Sequence, residues 1–511
     1  MTRSSLLAIA LVVACGANDD DATPDDGGSS GSAASEAGST AASTMADSGS
    51  DEAGPGSNDA SDSSNDSATS DSADSGDDST DTGDPPGACG AVPSIEDGRE
   101  PTAEIHVATN GNDGGGCGAE ASPCATIEGA LASAQPGSAV RIHAGTYAGG
   151  AYIAGLAGTA DAPIWIGGAP GEDRPVFDGG GTAFQLSGVR YLVLHDLEVR
   201  NMTDNGINID DGGAVDDPEA TRGLLIRNLF IHDIGTGGNN DCLKLSGVND
   251  FVVRDTEFSV CGGGAAGSAI DHVGCHQGVI AFNHFHDLQE SGNSVQTKGG
   301  SEDLEIYANV FENAGERAVN MGGSTGFEFF RPPLDGGAVN AEARDIRTVS
   351  NVFIGSFSPI ALVGCTGCLV AHNTIIDPEH WVFRVLQETS STAEYMFAPS
   401  GENTVVDNLV VYSRALVGVV VNVGEGTAPE TFTFANNLWY ASDAPDQSDP
   451  QLPAPESGGV IGVDPMLADD HSIAAGSPAA GAGMDVAGLR GDHRGECWGM
   501  PPSIGAFEIA P

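Results

Sequence analysis

Lysine is almost missing from this 511-residue chain: 17 Arg are joined by only two Lys, Lys244 and Lys298, against 73 Asp and Glu. The resulting formal charge of −54 excludes nucleic acid as a partner, because neutralising phosphates takes clustered cations. Aromatic residues are scarce as well, at 6%, and no apolar run approaches the ~18 residues that a membrane-spanning helix needs. What the chain has in excess is glycine, 73 residues. With so few large rings, that excess points away from a helical bundle and toward a turn-rich β architecture. Residues 16 to 88 hold 18 acidic residues and no Lys or Arg, and the chain from Cys89 onward still carries 55 acidic against 18 basic residues. The whole surface is therefore anionic, solvated, self-repelling and open to screening by salt.

The first fifteen residues, MTRSSLLAIALVVAC, place one Arg before an apolar run from Leu6 to Ala14, followed by Cys15. Nine apolar residues are too short for a permanent span and read as the hydrophobic region of a signal peptide, residues 1–15. The end of that run, Val12-Val13-Ala14-Cys15, resembles a bacterial lipobox. The resemblance implies an exported lipoprotein lipidated at Cys15, with Gly16 implying an outer-membrane, cell-surface address and membrane attachment through the lipid anchor alone. Residues 16–88 repeat Gly, Ser and Asp with nothing apolar to bury, and are expected to form a disordered acidic tether.

Nine cysteines follow Cys15. Export makes disulfides the expected state. Cys117 with Cys124, which bracket a Gly-rich loop, and Cys242 with Cys261, which bracket one repeat, are the preferred pairs. Cys365 and Cys368 form a lone CxxC without the second pair that a zinc ribbon needs, and the odd count leaves one thiol over.

From Gly181 the chain repeats itself. Short strands ending near Gly recur as AFQLSG (183–188), GINIDD (206–211), CLKLSG (242–247), AIDHVG (269–274), VQTKGG (295–300), AVNMGG (318–323) and PIALVG (359–364). Apolar residues alternate with exposed ones in each, as a strand requires. A second strand carries Asn or Asp at Asp196, Asn228, Asp255, Asn283, Asn309, Asn351, Asn373, Asn408 and Asn437. Asn tolerates left-handed turns, and its amide can bridge to the next coil as a ladder. A period of this length is one coil of a solenoid. The position three before each aligned Gly reads Gln185, Asn208, Lys244, Asp271, Gln296, Asn320 and then Ala361, a polar column that turns apolar at its seventh member. Asp210, Asp211, Asp241, His272, His276, Asn293, Lys298 and Arg317 lie one strand position or one turn away. His272 alternates inward and is expected to be a core histidine, whereas His284 and His286 flank an inward Phe285 and point to solvent.

On these strands the chain resembles the right-handed parallel β-helix proteins of the pectate-lyase-like superfamily, over residues 103 to 511. The expected fold is all-β, a single-stranded right-handed parallel β-helix over 89–463, with a short N-terminal capping helix from about Ala125 to Gln135. Residues 464–511 complete or cap it. The closing Gly-Ser-Pro-Ala, Asp-x-Arg-Gly and Ile-Gly-Ala-Phe-Glu elements resemble the C-terminal segment of bacterial surface β-helix proteins.

The superfamily resemblance implies action on polysaccharide. NNDCLKLSG at 239–247 resembles the Asp and Lys coil of a lyase family that uses a calcium-assisted Lys, and TKGG followed by ERAVN resembles the Lys-then-Arg succession of alginate and chondroitin lyases. NIDDGG at 208–213 resembles the paired aspartates of pectin-hydrolysing glycosidases, and AIDH at 269–272 the Ile-Asp-His of a pectate lyase family; each lacks that family's other motifs. The implied chemistry is β-elimination from a uronate polymer. Asp210, Asp211, Asp241 and Asp271 would supply oxygen ligands to Ca2+, Lys244 first and Lys298 second would be the base, and Arg317 would stabilise charge. Gln185, Asn208, Gln296, Asn320 and His276 would contact the sugar. The alternative is a non-catalytic glycan-binding or adhesin-like surface protein. A Lys244 beside Asp271 would have its pKa raised, which opposes the neutral form a base needs.

Overall fold

A computed structural model describes residues 89–509, apart from 236–238, 263–266 and 289–291. The signal peptide, Cys15 and the tether expected over 16–88 lie outside the described residues.

Each coil runs through three parallel sheets, as in Val248–Arg254, Glu257–Ser259, Ser268–Val273 and then back to His276–Ala281. Coil after coil adds to each, giving a first sheet of 15 strands, which includes the short side strands Ala343–Arg344 and Cys365–Thr366, a second of 12 and a third of 10. This is the right-handed parallel β-helix. The corner from the third sheet to the first explains the recurring Gly: Gly188, Gly247, Gly274, Gly299 and Gly364 all take φ between 59° and 68°, where a Cβ is strained.

The corner from the first sheet to the second carries the polar spine. Asn283, Asn309, Asn351, Asn373, Asn408 and Asn437 pass their side-chain amides to one another at 2.8–3.0 Å, and the chain of amides ends on Glu456 Oε1 at 2.7 Å. Each amide also satisfies backbone groups of its neighbours, as Asn351 does for Asn309 N at 2.9 Å and Ile306 O at 2.8 Å. Asp196, Asn228 and Asp255 do not belong to this ladder. They sit one residue earlier, at the left-handed position of the corner (φ 53°, 54° and 51°), and the ladder position of those coils holds Leu197, Leu229 and Thr256. Both adjacent positions favour Asn and Asp, for different reasons, so the repeat slips by one residue when it is aligned on residue type.

Inward side chains stack between coils. Phe258, Phe285, Phe311 and Phe353 are parallel, with ring centroids 5.0, 4.8 and 4.7 Å apart, close to the strand spacing itself. At the N-terminal end a helix of five residues, Ile127–Leu131, starts at Thr126, whose side chain accepts from Gly129 N, and buries Ile127 and Ala130. It is shorter than the expected 125–135, because the chain turns from Ala132 and enters the strand Ser138–Ile142.

After Val460–Ile461, the last strand, the chain returns along the outside of the coils. The C-terminal elements are structural. Asp492 accepts from the amides of Arg494, Glu496 and Glu508 at 2.8–3.0 Å, and Glu508 accepts from Ser503 Oγ at 2.6 Å. Tyr307 of the first sheet donates to Asp492 O at 3.0 Å, which docks the segment on the solenoid. Cys117 pairs with Cys124 and Cys242 with Cys261, as expected. Cys89 with Cys497 and Cys365 with Cys368 are the other disulfides, and Cys275 is a buried free thiol.

Candidate functional site

The third sheet places the polar column in register. Tyr152, Gln185, Asn208, Lys244, Asp271, Gln296, Asn320, Ala361, Arg384 and Asn422 are successive partners across ten strands. Inward neighbours such as Leu243, Leu245, Val295 and Val319 are fully buried, and that alternation keeps the column on the outer face. The column does not end at Ala361, as the repeat alone suggests; it resumes with Arg384 and Asn422.

Its centre is an ion-pair cluster. Lys244 Nζ lies 3.0 Å from Asp271 Oδ2 and 3.2 Å from Asp241 Oδ2, and Lys298 Nζ reaches the same Asp271 oxygen at 3.4 Å. Both lysines of the chain therefore meet on one carboxylate. Asp241 and Asp271 are essentially inaccessible, and the lysine side chains are 14% and 13% exposed. Burial opposes ionisation of Asp271, but Lys298 and Lys244 outweigh it and hold its pKa down at about 2. Asp241 goes the other way, to about 6, through burial and the charge of Asp271, despite the help of Lys244. For Lys244 burial works against the charge, yet Asp271 and Asp241 raise its pKa well above the ordinary lysine range. Asp271 Oδ1 is buried and has no hydrogen-bond partner.

The four aspartates do not form one ligand set. Asp210 accepts from Gln185 Nε2 at 2.8 Å, Ser187 Oγ at 2.7 Å and Gly212 N at 2.9 Å. Asp211 is buried and held by Arg331 through Nε at 2.7 Å and Nη2 at 3.4 Å. Asp241 and Asp271 already face ammonium groups. The donor set does not fit calcium, because two fixed cations stand against Asp241 and Asp271, the two of the four that share a partner. Among the described residues, the one group of three metal-ligating side chains close enough to share an ion is Asp113, Cys117 and Cys124, and its two thiols are joined in a disulfide.

The remaining candidates divide. Asn208 donates to Gln185 Oε1 at 2.8 Å, and both are half-buried on the face. Gln296 and Asn320 are buried, the latter beneath Arg317, whose Nη1 is 3.4 Å from Asn320 Oδ1 and 2.9 Å from Glu388. His276 belongs to the first sheet, where its ring nitrogens lie 2.8 Å from Asn249 Oδ1 and 3.1 Å from Gly300 O. It therefore lies off the third-sheet column. His272 is a core residue: it stacks on Phe251, its Nδ1 donates to Gln296 O at 2.9 Å, and burial lowers its pKa to about 4. His284 is the more exposed of the next pair, and Phe285 between it and His286 is fully buried.

Alignment on Gly overlooked the far end of the face. Arg384 bonds Glu316 at 2.8 Å and lies 4.6 Å over the Trp381 ring, with Phe357 and His380 alongside. Two clefts elsewhere hold no column residue: about 530 Å³ lined by Arg141, Arg174, His195 and Arg227, and about 410 Å³ under the C-terminal segment at Glu305, Arg347 and Arg490.

No protein-family model matches this chain, and no curated protein matches it in sequence. Among solved structures it is similar to a pectate lyase, Pel9A, at 15% identity and a TM-score of 0.47, over 82% of this chain and 99% of that one. It is also similar to XylC in complex with xylose (11%, 0.46, covering 80% and 98%) and to a rhamnogalacturonan lyase (14%, 0.43, covering 65% and 87%). The architecture given above rests on the strand pairing of the chain itself.

Proposed function

We propose that the protein acts on an acidic polysaccharide that lies along the third sheet, across the coils, with Lys244 and Lys298 engaging its uronate carboxylates. The observation that carries this reading is the meeting of the chain's only two lysines on Asp271, at the centre of a six-rung polar column. With about 4.8 Å between rungs, Gln185 to Asn320 spans roughly 24 Å, room for several sugar rings. Hydroxyls of the polymer find amide partners at Gln185 and Asn208, and the lysines, offset by Asp271 and Asp241, bring ammonium groups and near-neutral local charge to a surface that otherwise repels a polyanion. No calcium enters this account.

A β-elimination lyase is the catalytic form of the same reading. Removing the proton α to a uronate carboxyl needs a neutral amine. Lys244, bracketed by two carboxylates, is poorly suited, whereas Lys298 shares only Asp271 and is the better base. Non-catalytic glycan binding is the other form.

The test offers oligogalacturonate, oligomannuronate and a neutral oligosaccharide to the full chain, with binding followed by calorimetry and unsaturated products by ultraviolet absorbance. Uronate oligomers are expected to bind in the presence of EDTA, and Lys298→Ala is expected to weaken that binding by about tenfold, the worth of one charge-assisted contact. Products that appear with the wild type and vanish in Lys298→Ala identify the lyase form. Uronate binding that is equal in the wild type, Lys244→Ala and Lys298→Ala would overturn the reading.

A further inference from the structure

We infer that the far end of this face is an acidic-sugar subsite formed by Trp381, Phe357, Arg384 and Arg317, which stacks one uronate ring and takes its carboxylate. The inference rests on the proposal that a polysaccharide lies along the third sheet, and it names where one ring of that polymer is gripped.

Past Asn320 the column continues through Ala361, which is fully buried, to Arg384. Trp381 and Phe357 stand just before the strands Phe383–Leu386 and Ser358–Val363, on the edge from which Arg317 also enters its strand. The two rings meet edge to face at 5.2 Å, and Phe357 stacks on His380 at 4.7 Å. Phe357 is 36% exposed despite its contacts with His380 and Trp381. Trp165 and Trp439 are buried, and Trp498 packs on His372 on the C-terminal segment. Trp381 is therefore the tryptophan beside the column.

The charges at this end are two arginines, each paired with a glutamate. Arg317 is bound by Glu388 at 2.9 Å and Arg384 by Glu316 at 2.8 Å, with Arg317 Nε 3.9 Å from Glu316. Two guanidiniums and two carboxylates balance, in a chain with a formal charge of −54. The Nε atoms of both arginines are buried without a hydrogen-bond acceptor. Burial, and after it the neighbouring Arg317 charge, lower the pKa of Arg384 against the pull of Glu316 and Glu388. A uronate ring has an apolar C–H face suited to aromatic side chains and a carboxylate that matches a guanidinium fork. A neutral sugar meets only the first requirement.

The experiment titrates the full chain with oligogalacturonate and with its methyl ester, reading tryptophan emission together with calorimetric affinity. Trp381→Phe, Arg384→Lys and Lys298→Ala are compared after thermal melts confirm that each is folded. The expected result is an emission change on binding that disappears in Trp381→Phe, with affinity about tenfold weaker for Arg384→Lys and for the methyl ester. Lys298-dependent binding with wild-type affinity in Trp381→Phe and Arg384→Lys would overturn the subsite and leave the polysaccharide reading standing. Binding that needs Trp381 and Arg384 but not Lys298 would support the subsite and remove the lysine-centred reading. Absence of binding to any uronate oligomer overturns both.

Discussion

Asp271→Asn is expected to cost the folded chain about 3–5 kcal/mol at pH 7, because it leaves Lys244 and Lys298 largely buried and deprived of their shared carboxylate. The substitution keeps shape and size, so lost charge is the cause. Replacing Lys298 by Met in the same chain is expected to restore part of the loss, since the removed ammonium no longer needs a counter-ion. Asp241→Asn is expected to cost less at pH 7. The pH dependence separates the two. Asp271 is held near pKa 2 in the folded chain, below the ordinary carboxylate near 3.9. Its contribution is therefore complete above that value and fades only as pH falls from about 4 toward 2. Asp241 is raised to about 6, so the folded state takes up a proton between pH 6 and 4 and gains stability as pH falls through that window. Urea unfolding at pH 7, pH 5 and pH 3 checks both signs, the first interval for Asp241 and the second for Asp271. An Asp271→Asn chain that unfolds at the wild-type midpoint would contradict the account of the cluster.

Asn351→Ala has the second large expected effect, a loss of about 3 kcal/mol or more. Its side chain accepts from the backbone and amide of Asn309 and donates to Ile306 O, Val349 O and Asn373 Oδ1. All of these groups are buried, and each one left unsatisfied costs about 1–3 kcal/mol. Asn228→Ala, at the left-handed position of the corner, removes a local turn preference together with contacts to Asp196 and Arg174. It is expected to cost clearly less. Equal losses at the two positions, measured by chemical denaturation, would contradict the distinction between the ladder and the turn beside it.

The fold was legible in the sequence because a β-helix writes itself as a repeat. Gly at each corner, alternation in each strand and the Asn spine all recur at the length of one coil, and the third-sheet register from Gln185 to Ala361 follows directly from aligning the corner Gly. Two kinds of fact were not legible. The first is a choice between neighbours: Asp196 and Leu197 compete for the ladder position, and residue type alone selects the wrong one. The second is what covers a side chain. Nothing local to NIDDGG shows that Arg331, 120 residues away, closes on Asp211, or that Arg317 folds down over Asn320. The ligand set expected from four nearby aspartates dissolves for that reason, since each finds a protein partner on another coil. Arg384 and Trp381 escaped notice because Ala361 interrupts the polar column one rung before them.

The scarcity of lysine allows a direct chemical test of where polysaccharide lies. Carbodiimide coupling joins a bound uronate carboxylate to a neighbouring amine, and within the solenoid Lys298 and Lys244 are the only side-chain amines. Peptide mapping after coupling in the presence of oligogalacturonate is expected to find the sugar adduct on Lys298, with less on Lys244. Bound oligomer that leaves both lysines free of sugar would contradict the placement of polysaccharide on this face.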